Sequence, residues 1–337
     1  MIVDALRTRL ERTVASAIPH GARVAVLDLP NHPNSGDNAI WLGELALLRR
    51  LRARIAYVCE THGYDARAVR RAIGPNGVVL LHGGGNFGDE WPGYQQLRER
   101  VVHALRDLPI VQLPQSLQFG DAVARAQAAA ALGGHRRLTI LCRDVPSAET
   151  AHFLAPRARV ELCPDAAFAL RPARRRFTRP GAPLWLARTD RERRSPRLAP
   201  PDGAGRVVDW PDPGPTERAL RALSAHAGQR ATKRAWLAPV AFPALAALHR
   251  GLATQRVRDA MALLAGAPSV VTDRLHAHIL CLLLGVPHVV VDTGYGKLRR
   301  FVEAWTYDSP LVRMASDAPQ AHELATDPRA TREVALA

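Results

Sequence analysis

The chain alternates short apolar runs with stretches whose apolar positions recur at helical spacing. Residues 4–18 carry Leu6, Leu10 and Val14 on one stripe, the pattern of an amphipathic helix. Apolar runs at 23–29, 54–59, 77–81, 110–113, 138–142 and 160–162 read as strands, with helical patterns between them at 38–50, 66–73 and 94–105. A proline- and arginine-rich break at 171–181 reads as a linker. The alternation then restarts, with strands at 184–187, 206–209, 269–272 and 288–292 and helices at 216–227, 256–265, 274–284 and 298–305. The Ala-rich, Pro-interrupted stretch 229–255 predicts irregular helix. Strand–helix alternation predicts parallel sheets wrapped by helices. Two such halves predict an N-terminal α/β domain over 1–175 and a C-terminal one over 176–337, with a site in the cleft between them.

A chain of 337 residues exceeds what one core usually serves, in keeping with two domains, and 47% hydrophobic residues is ordinary for a globular protein. The net charge of +15 is nearly all arginine, Lys233 and Lys297 being the only lysines. The basic runs at 171–179 and 188–197 read as solvated surface or as a face for anionic lipid. Aromatics are 5% and none interleave with those runs, which speaks against nucleic acid. The longest apolar run, 279–284, is cut short by Gly285 and Pro287, and the first residues are charged, so a cytoplasmic protein is expected. Cys59, Cys142, Cys163 and Cys281 are far apart and form no metal-ligand pair.

Polar residues collect where strands end. After 77–81 comes His82-Gly83-Gly84-Gly85-Asn86-Phe87-Gly88-Asp89, whose glycines allow positive φ and close approach of a ligand to the backbone. A tight turn needs glycine too; Asp89 and a second loop of the same kind favour a site. That second loop, Asn34-Ser35-Gly36-Asp37, opens a helix, where Ser35 or Asp37 is either an N-cap or a site residue. In the second half, Thr272-Asp273-Arg274-Leu275-His276 sets Arg274 and His276 in the first turn of a helix capped by Thr272 or Asp273, a setting suited to carboxylate or phosphate. His278 points to another face and reads as a core residue, so no two-histidine metal site is expected. Arg143-Asp144, Pro164-Asp165 and Arg188-Thr189-Asp190 follow other strands, as loop bridges or as site residues. Asp292-Thr293-Gly294-Tyr295-Gly296-Lys297 either offers amides or Lys297 to an anion or simply turns into the next helix.

Taken in order, with Leu113-Pro114-Gln115-Ser116, Cys142-Arg143-Asp144 and Cys163-Pro164-Asp165, these segments resemble the polysaccharide pyruvyl transferases. The likeness runs from about residue 23 to 305, leaving out both termini and 191–255, a stretch richer in arginine and proline than is usual for the family. It implies a GT-B-like fold, two Rossmann-like α/β domains facing a central cleft. It also implies transfer of a pyruvyl group from phosphoenolpyruvate to two hydroxyls of a sugar, in a cell-surface polysaccharide or its lipid-linked precursor, with a cyclic ketal formed and phosphate released. By the same resemblance Arg274 and Arg188 hold phosphoenolpyruvate, and His276 and a first-domain carboxylate are catalytic. Asp89 is the preferred carboxylate and Asp37 the second, with acid and base roles interchangeable between histidine and aspartate. Arg143, Asn86, Ser35, Gly84, Gly85 and Lys297 complete the expected substrate-binding set.

The expected partners are phosphoenolpyruvate, a saccharide acceptor and, peripherally, the anionic inner face of the cytoplasmic membrane; no cofactor, metal or nucleic acid is expected. Two other readings stand beside this one. A GT-B-type glycosyltransferase would use the same loops for a sugar nucleotide. A non-catalytic protein binding anionic polymer or membrane through many arginines would lose little on removal of Arg188 or Arg274 alone.

Overall fold

The computed structural model describes residues 2–173, 181–190, 198–201, 206–234, 236–292, 294 and 296–327. Most of the expected linker and most of the basic run 188–197 lie outside the described residues. Strands β1 (Arg23–Leu27), β2 (Arg54–Cys59), β3 (Val78–Leu81), β4 (Gly84–Gly88), β5 (Ile110–Gln118), β6 (Leu138–Cys142) and β7 (Arg159–Leu162) form one parallel sheet. Its order is β2-β1-β3-β5-β6-β7, with β4 beside β5. Every residue of β3 is buried, and so is every residue of β1 except Arg23, as fits strands covered on both faces. A second parallel sheet holds β8 (Leu184–Leu186), β9 (Arg206–Val208), β10 (Val270–Thr272), β11 (His288–Val291) and β12 (Val312–Ala315) in the order β12-β11-β10-β8-β9. The protein is thus α/β, with parallel sheets.

The two sheets share a topological feature. The chain runs from β1 outward to β2 and returns to β3 on the other side of β1; it repeats this from β8 to β9 and back to β10. Connections leaving β1 and β3, and those leaving β8 and β10, therefore diverge and open a crevice at each carboxyl edge.

The helices are α1 (Ile2–Ala17), α2 (Ser35–Arg50), α3 (Ala66–Ile73), α4 (Pro92–Ala104), α5 (Ala122–Leu132), α6 (Val145–Leu154), α7 (Pro215–Lys233), α8 (Ala238–Ala265), α9 (Leu275–Leu284), α10 (Lys297–Trp305) and α11 (Ala318–Thr326). As its pattern predicts, α1 buries Leu6, Leu10 and Val14. The stretch 229–255 departs from expectation: α7 continues to Lys233, and α8 is regular from Ala238 onward. Its Pro239 sits in the first turn, where the N–H has no helical partner anyway, and Pro243 removes one bond of the next turn. Burial makes up for that loss, because α8 packs on α2 and β2 of the first sheet and on α9 of the second half. One apolar core runs through both halves.

The glycine-rich segment is also more regular than expected, because part of it is a strand. β5 pairs with β3 through Ile110–Gln112 and with β4 through Gln115–Gln118. Pro114, which has no N–H to give, lies between the two pairings and at the register shift of β5 against β6. Gly88 has φ 144°, and a Cβ there would lie 1.6 Å from the carbonyl oxygen of Gln118, so only glycine lets β4 lie against β5.

His278 is fully buried, in a chain of hydrogen bonds that sets each tautomer. His288 Nδ1–H donates to the Val286 carbonyl at 2.9 Å, His278 Nδ1–H to His288 Nε2 at 2.8 Å, and the Thr306 hydroxyl to His278 Nε2 at 3.0 Å. Among the described residues no helix is long and apolar enough to cross a membrane.

Candidate active site

The edge of the first sheet carries acids and a histidine. Asp28, just past β1, has φ 71°, uncommon without glycine. Its carboxylate accepts from Thr61 Oγ1 at 3.0 Å and Asn86 Nδ2 at 3.2 Å, with Arg98 Nη2 3.7 Å away. Burial pushes its pKa up despite Arg98. Asn34 caps α2 by accepting the N–H of Gly36 at 2.9 Å, so neither Ser35 nor Asp37 is the cap. Ser35 is buried in the first turn and does not line the cavity described below. Asp37 does line it, 3.6 Å from His32 Nε2.

The glycine loop holds this edge together. Asn86 lines the cavity, but its side chain is tied at both ends: the amide nitrogen donates to Asp28, and the oxygen accepts from Arg98 and from Gln115 Nε2 at 2.8 Å. Gly84 has φ 127°, a conformation that favours glycine, and a Cβ there would make only ordinary contact with Asp37. Asp89, the carboxylate preferred from the sequence, stands apart from the cavity. Its Oδ2 accepts the N–H groups of Gly120 at 2.7 Å and Asp121 at 2.5 Å, bracing the turn between β5 and α5. The geometry brings Asp37, not Asp89, to the site.

The second sheet supplies cations. Arg274, not Thr272 or Asp273, occupies the N-cap position of α9, makes no side-chain cap bond there, and donates its N–H to Thr272 Oγ1 at 3.1 Å. Its guanidinium donates from Nη2 to Asp209 at 2.6 Å and Asp190 at 3.0 Å. Arg188 Nε lies 3.2 Å from Asp190, and the Arg188 N–H donates to Asp273 at 2.9 Å. Asp209 also accepts the N–H and hydroxyl of Thr189; burial would raise its pKa, but Arg274 outweighs burial and lowers it. Both arginines expected to bind an anion are therefore present, and both are shared with aspartates.

His276 follows in the first turn of α9. It packs so closely on Gly36 that a Cβ there would come within 2.4 Å of Nδ1, and its Nε2 is 3.5 Å from Asp165 Oδ2. The fully buried Asp165 accepts Arg143 Nη1 at 2.6 Å and the N–H of Ala167 at 2.8 Å. Burial alone would raise its pKa, but His276 and Arg143 outweigh that and hold it well below the usual carboxylate range. Arg143 also reaches Ser116 Oγ at 3.2 Å. One carboxylate thus joins a guanidinium of the first half to an imidazole of the second. Lys297 Nζ donates to the Gly85 carbonyl at 2.8 Å, and Trp305 Nε1 to the Arg143 carbonyl at 2.6 Å, across the same seam.

Between these edges lies a cavity of about 860 Å³. All four expected cations, Arg143, Arg188, Arg274 and Lys297, line it together with Asp37 and His276, as do Gly85 and Asn86. Gly84 joins Ser35 and Asp89 outside the lining. Asp28, His82, Asp209 and the aromatic Trp91, Tyr94 and Trp210 also line it, and pattern reading did not single them out. Asp28 read as the tail of a strand, and Asp209 and Trp210 carry no motif of their own. Among the described residues no three metal-ligating side chains converge.

Comparison with known proteins gives the chain's relatives. The chain is 31% identical over 305 residues to Pyruvyl transferase 1 of Schizosaccharomyces pombe, covering 86% of this chain and 71% of that protein. It is 27% identical over 308 residues to EpsO of Bacillus subtilis, a candidate pyruvyl transferase, covering 91% of this chain and 92% of the relative. A crystal structure of an uncharacterized protein from Klebsiella pneumoniae shares the fold with a TM-score of 0.60 at 15% identity, over 92% of this chain and 98% of the other. Residues 34–295 match the family described as polysaccharide pyruvyl transferase, a span from the cap of α2 to the loop before α10. The chain belongs to the polysaccharide pyruvyl transferase family and is a transferase.

Proposed function

We propose that the protein moves a pyruvyl group from phosphoenolpyruvate onto two hydroxyls of a saccharide, forming a cyclic ketal and releasing phosphate. The observation that carries this reading is the shared carboxylate: Asp165 holds Arg143 and His276 together in a cavity that also contains Arg188, Arg274 and Lys297. A donor with a carboxylate and a phosphate needs several cations, and bond breaking at the phosphate oxygen needs an acid beside them. The two parallel sheets and the cavity between them fit a GT-B-like pair of domains divided near residue 175.

In this mechanism the methylene carbon of phosphoenolpyruvate takes a proton and C2 becomes oxocarbenium-like. One sugar oxygen attacks C2, and a second then displaces phosphate. Two hydroxyl protons enter; one ends on the new methyl group and the other on the departing phosphate, so the enzyme is returned unchanged. His276, backed by Asp165, is the acid, and Asp37 takes the hydroxyl proton in place of Asp89. Asp190 and Asp209 engage Arg188 and Arg274, so donor binding exchanges carboxylate partners on these arginines. The acceptor is a sugar of a surface polysaccharide or its lipid-linked precursor.

Thermal unfolding with phosphoenolpyruvate or UDP-sugars, in wild type and Arg274→Ala, tests the donor. A ligand that binds only the native state raises the midpoint. The reading requires a rise with phosphoenolpyruvate that Arg274→Ala abolishes. A rise with UDP-sugars alone overturns it.

A further inference from the structure

The mechanism above leaves one buried pair unused. His82, directly after β3, lines the cavity and is 3% exposed. Its Nδ1 lies 2.8 Å from Glu44 Oε2, and the other oxygen of Glu44 accepts the N–H of Gly83 at 2.9 Å. Glu44 stands in the interior of α2 and is 1% exposed. Both of its oxygens are thus fixed on the loop after β3, and Nδ1 must carry a proton. Nε2, on the far edge of the ring, is buried and has no hydrogen-bond partner.

A buried polar atom with nothing to bond is costly and is rare unless a ligand completes it. The surroundings also favour the charged ring. Burial pushes the His82 pKa down, but the Glu44 carboxylate, helped by Asp28 and Asp37, outweighs burial and raises it. When both nitrogens carry protons, Nε2–H is a charge-assisted donor to which the protein itself offers no acceptor. The groups around it are Glu44 behind and the two cavity carboxylates Asp28 and Asp37.

A sugar hydroxyl offers one donor and two lone pairs, so it is bound best between a donor and an acceptor. We propose that His82 Nε2–H donates to an acceptor-sugar hydroxyl oxygen whose proton faces Asp37, with Glu44 as the positioning residue that holds the ring in place. This rests on the pyruvyl-transfer reading and names the acceptor side of that same cavity. A carboxylate–imidazolium array of this kind binds a neutral hydroxyl without needing the arginines, which remain with the donor. It also separates the two substrates by edge: the donor on the cations, the acceptor on the first-sheet carboxylates and His82.

The test is steady-state transfer from phosphoenolpyruvate to a panel of p-nitrophenyl hexopyranosides with free vicinal or 4,6-diols. The variants are wild type, His82→Gln, His82→Leu, Glu44→Gln and the Glu44→Gln/His82→Leu double variant. Loss of one charged hydrogen bond raises the acceptor KM about ten- to hundredfold in His82→Leu, and by less in His82→Gln, which keeps a neutral donor. Donor KM and the phosphoenolpyruvate-induced thermal shift stay at wild-type values. In Glu44→Gln the imidazole loses its counter-charge and burial pulls its pKa down, so the acceptor KM begins to rise at a lower pH than in wild type. The double variant shows no more loss of acceptor affinity than His82→Leu alone, because Glu44 acts through His82. An unchanged acceptor KM in His82→Leu, or an equal loss of donor binding, overturns the proposal while leaving pyruvyl transfer standing. A wild type that transfers to no member of the panel overturns the acceptor reading of the site, and this proposal with it.

Discussion

Asp165→Asn separates what Asp165 does for the fold from what it does for His276. The amide keeps its oxygen for the N–H of Ala167 at 2.8 Å, so the turn after β7 is retained. What changes is the other oxygen, 2.6 Å from Arg143 Nη1 and 3.5 Å from His276 Nε2, which becomes a donor facing donors. Arg143 is 1% exposed and keeps only Ser116 Oγ among its side-chain partners here, so breaking the buried pair costs about 3–5 kcal/mol of stability. For His276, removing a unit charge at 3.5 Å forfeits about 4–5 kcal/mol at an effective dielectric constant of about 20. If that interaction supports the protonated imidazole in the transition state, kcat falls by about a thousandfold. The assay is phosphate release at saturating phosphoenolpyruvate and acceptor, with urea unfolding on the same samples. Ser116→Ala is the control: it weakens Arg143 without touching His276, costing about 1 kcal/mol of stability and leaving kcat within about threefold. A folded Asp165→Asn protein with kcat within about tenfold of wild type would refute the reasoning.

Other outcomes follow from the same geometry. Asp37→Asn abolishes transfer, whereas Asp89→Asn retains most of it and loses about 1 kcal/mol of stability from the weakened turn; activity lost in Asp89→Asn but kept in Asp37→Asn would reverse the assignment. Asp190→Ala lowers the KM for phosphoenolpyruvate about three- to tenfold by removing the Arg188 partner and one of the two carboxylates on Arg274, and a raised KM would show that Asp190 orients them instead. Acid also weakens the fold through the buried histidines. Burial depresses His278 and His288, the latter from 6.5 to about 4, so the unfolded chain takes up protons that the native one refuses. Stability present above pH 6.5 is therefore lost as pH falls toward 4, by about 3 kcal/mol for His288 alone, and a urea midpoint equal at pH 7.5 and 4.5 would contradict this.

The strands were legible because buried parallel strands are short apolar runs, and β2 and β6 match their predicted bounds. The polar clusters were legible for a related reason, since in such sheets site residues gather just past the carboxyl ends. β4 was not: a Gly84–Gly88 strand has no apolar alternation, and it pairs with the part of β5 that runs on beyond the β3 pairing. Asp89 was misplaced by the same segment, because a residue just beyond that strand is carried toward the turn after β5. Glu44 and Asp165 were hidden differently. A lone glutamate inside a helix reads as solvated, and only the folded loop shows that it anchors His82; Asp165 read equally well as a turn cap, which it also is. The length of α8 depended on packing against the first sheet, which local proline content opposes.

The central claim is tested most directly by identifying the product formed from phosphoenolpyruvate and a saccharide acceptor. Mass spectrometry and NMR of the purified product should show an acceptor heavier by one pyruvate less one water, a quaternary ketal carbon bonded to two sugar oxygens, and one phosphate released per ketal. A product carrying a glycosyl group from a UDP-sugar, with phosphoenolpyruvate untouched, would contradict the account.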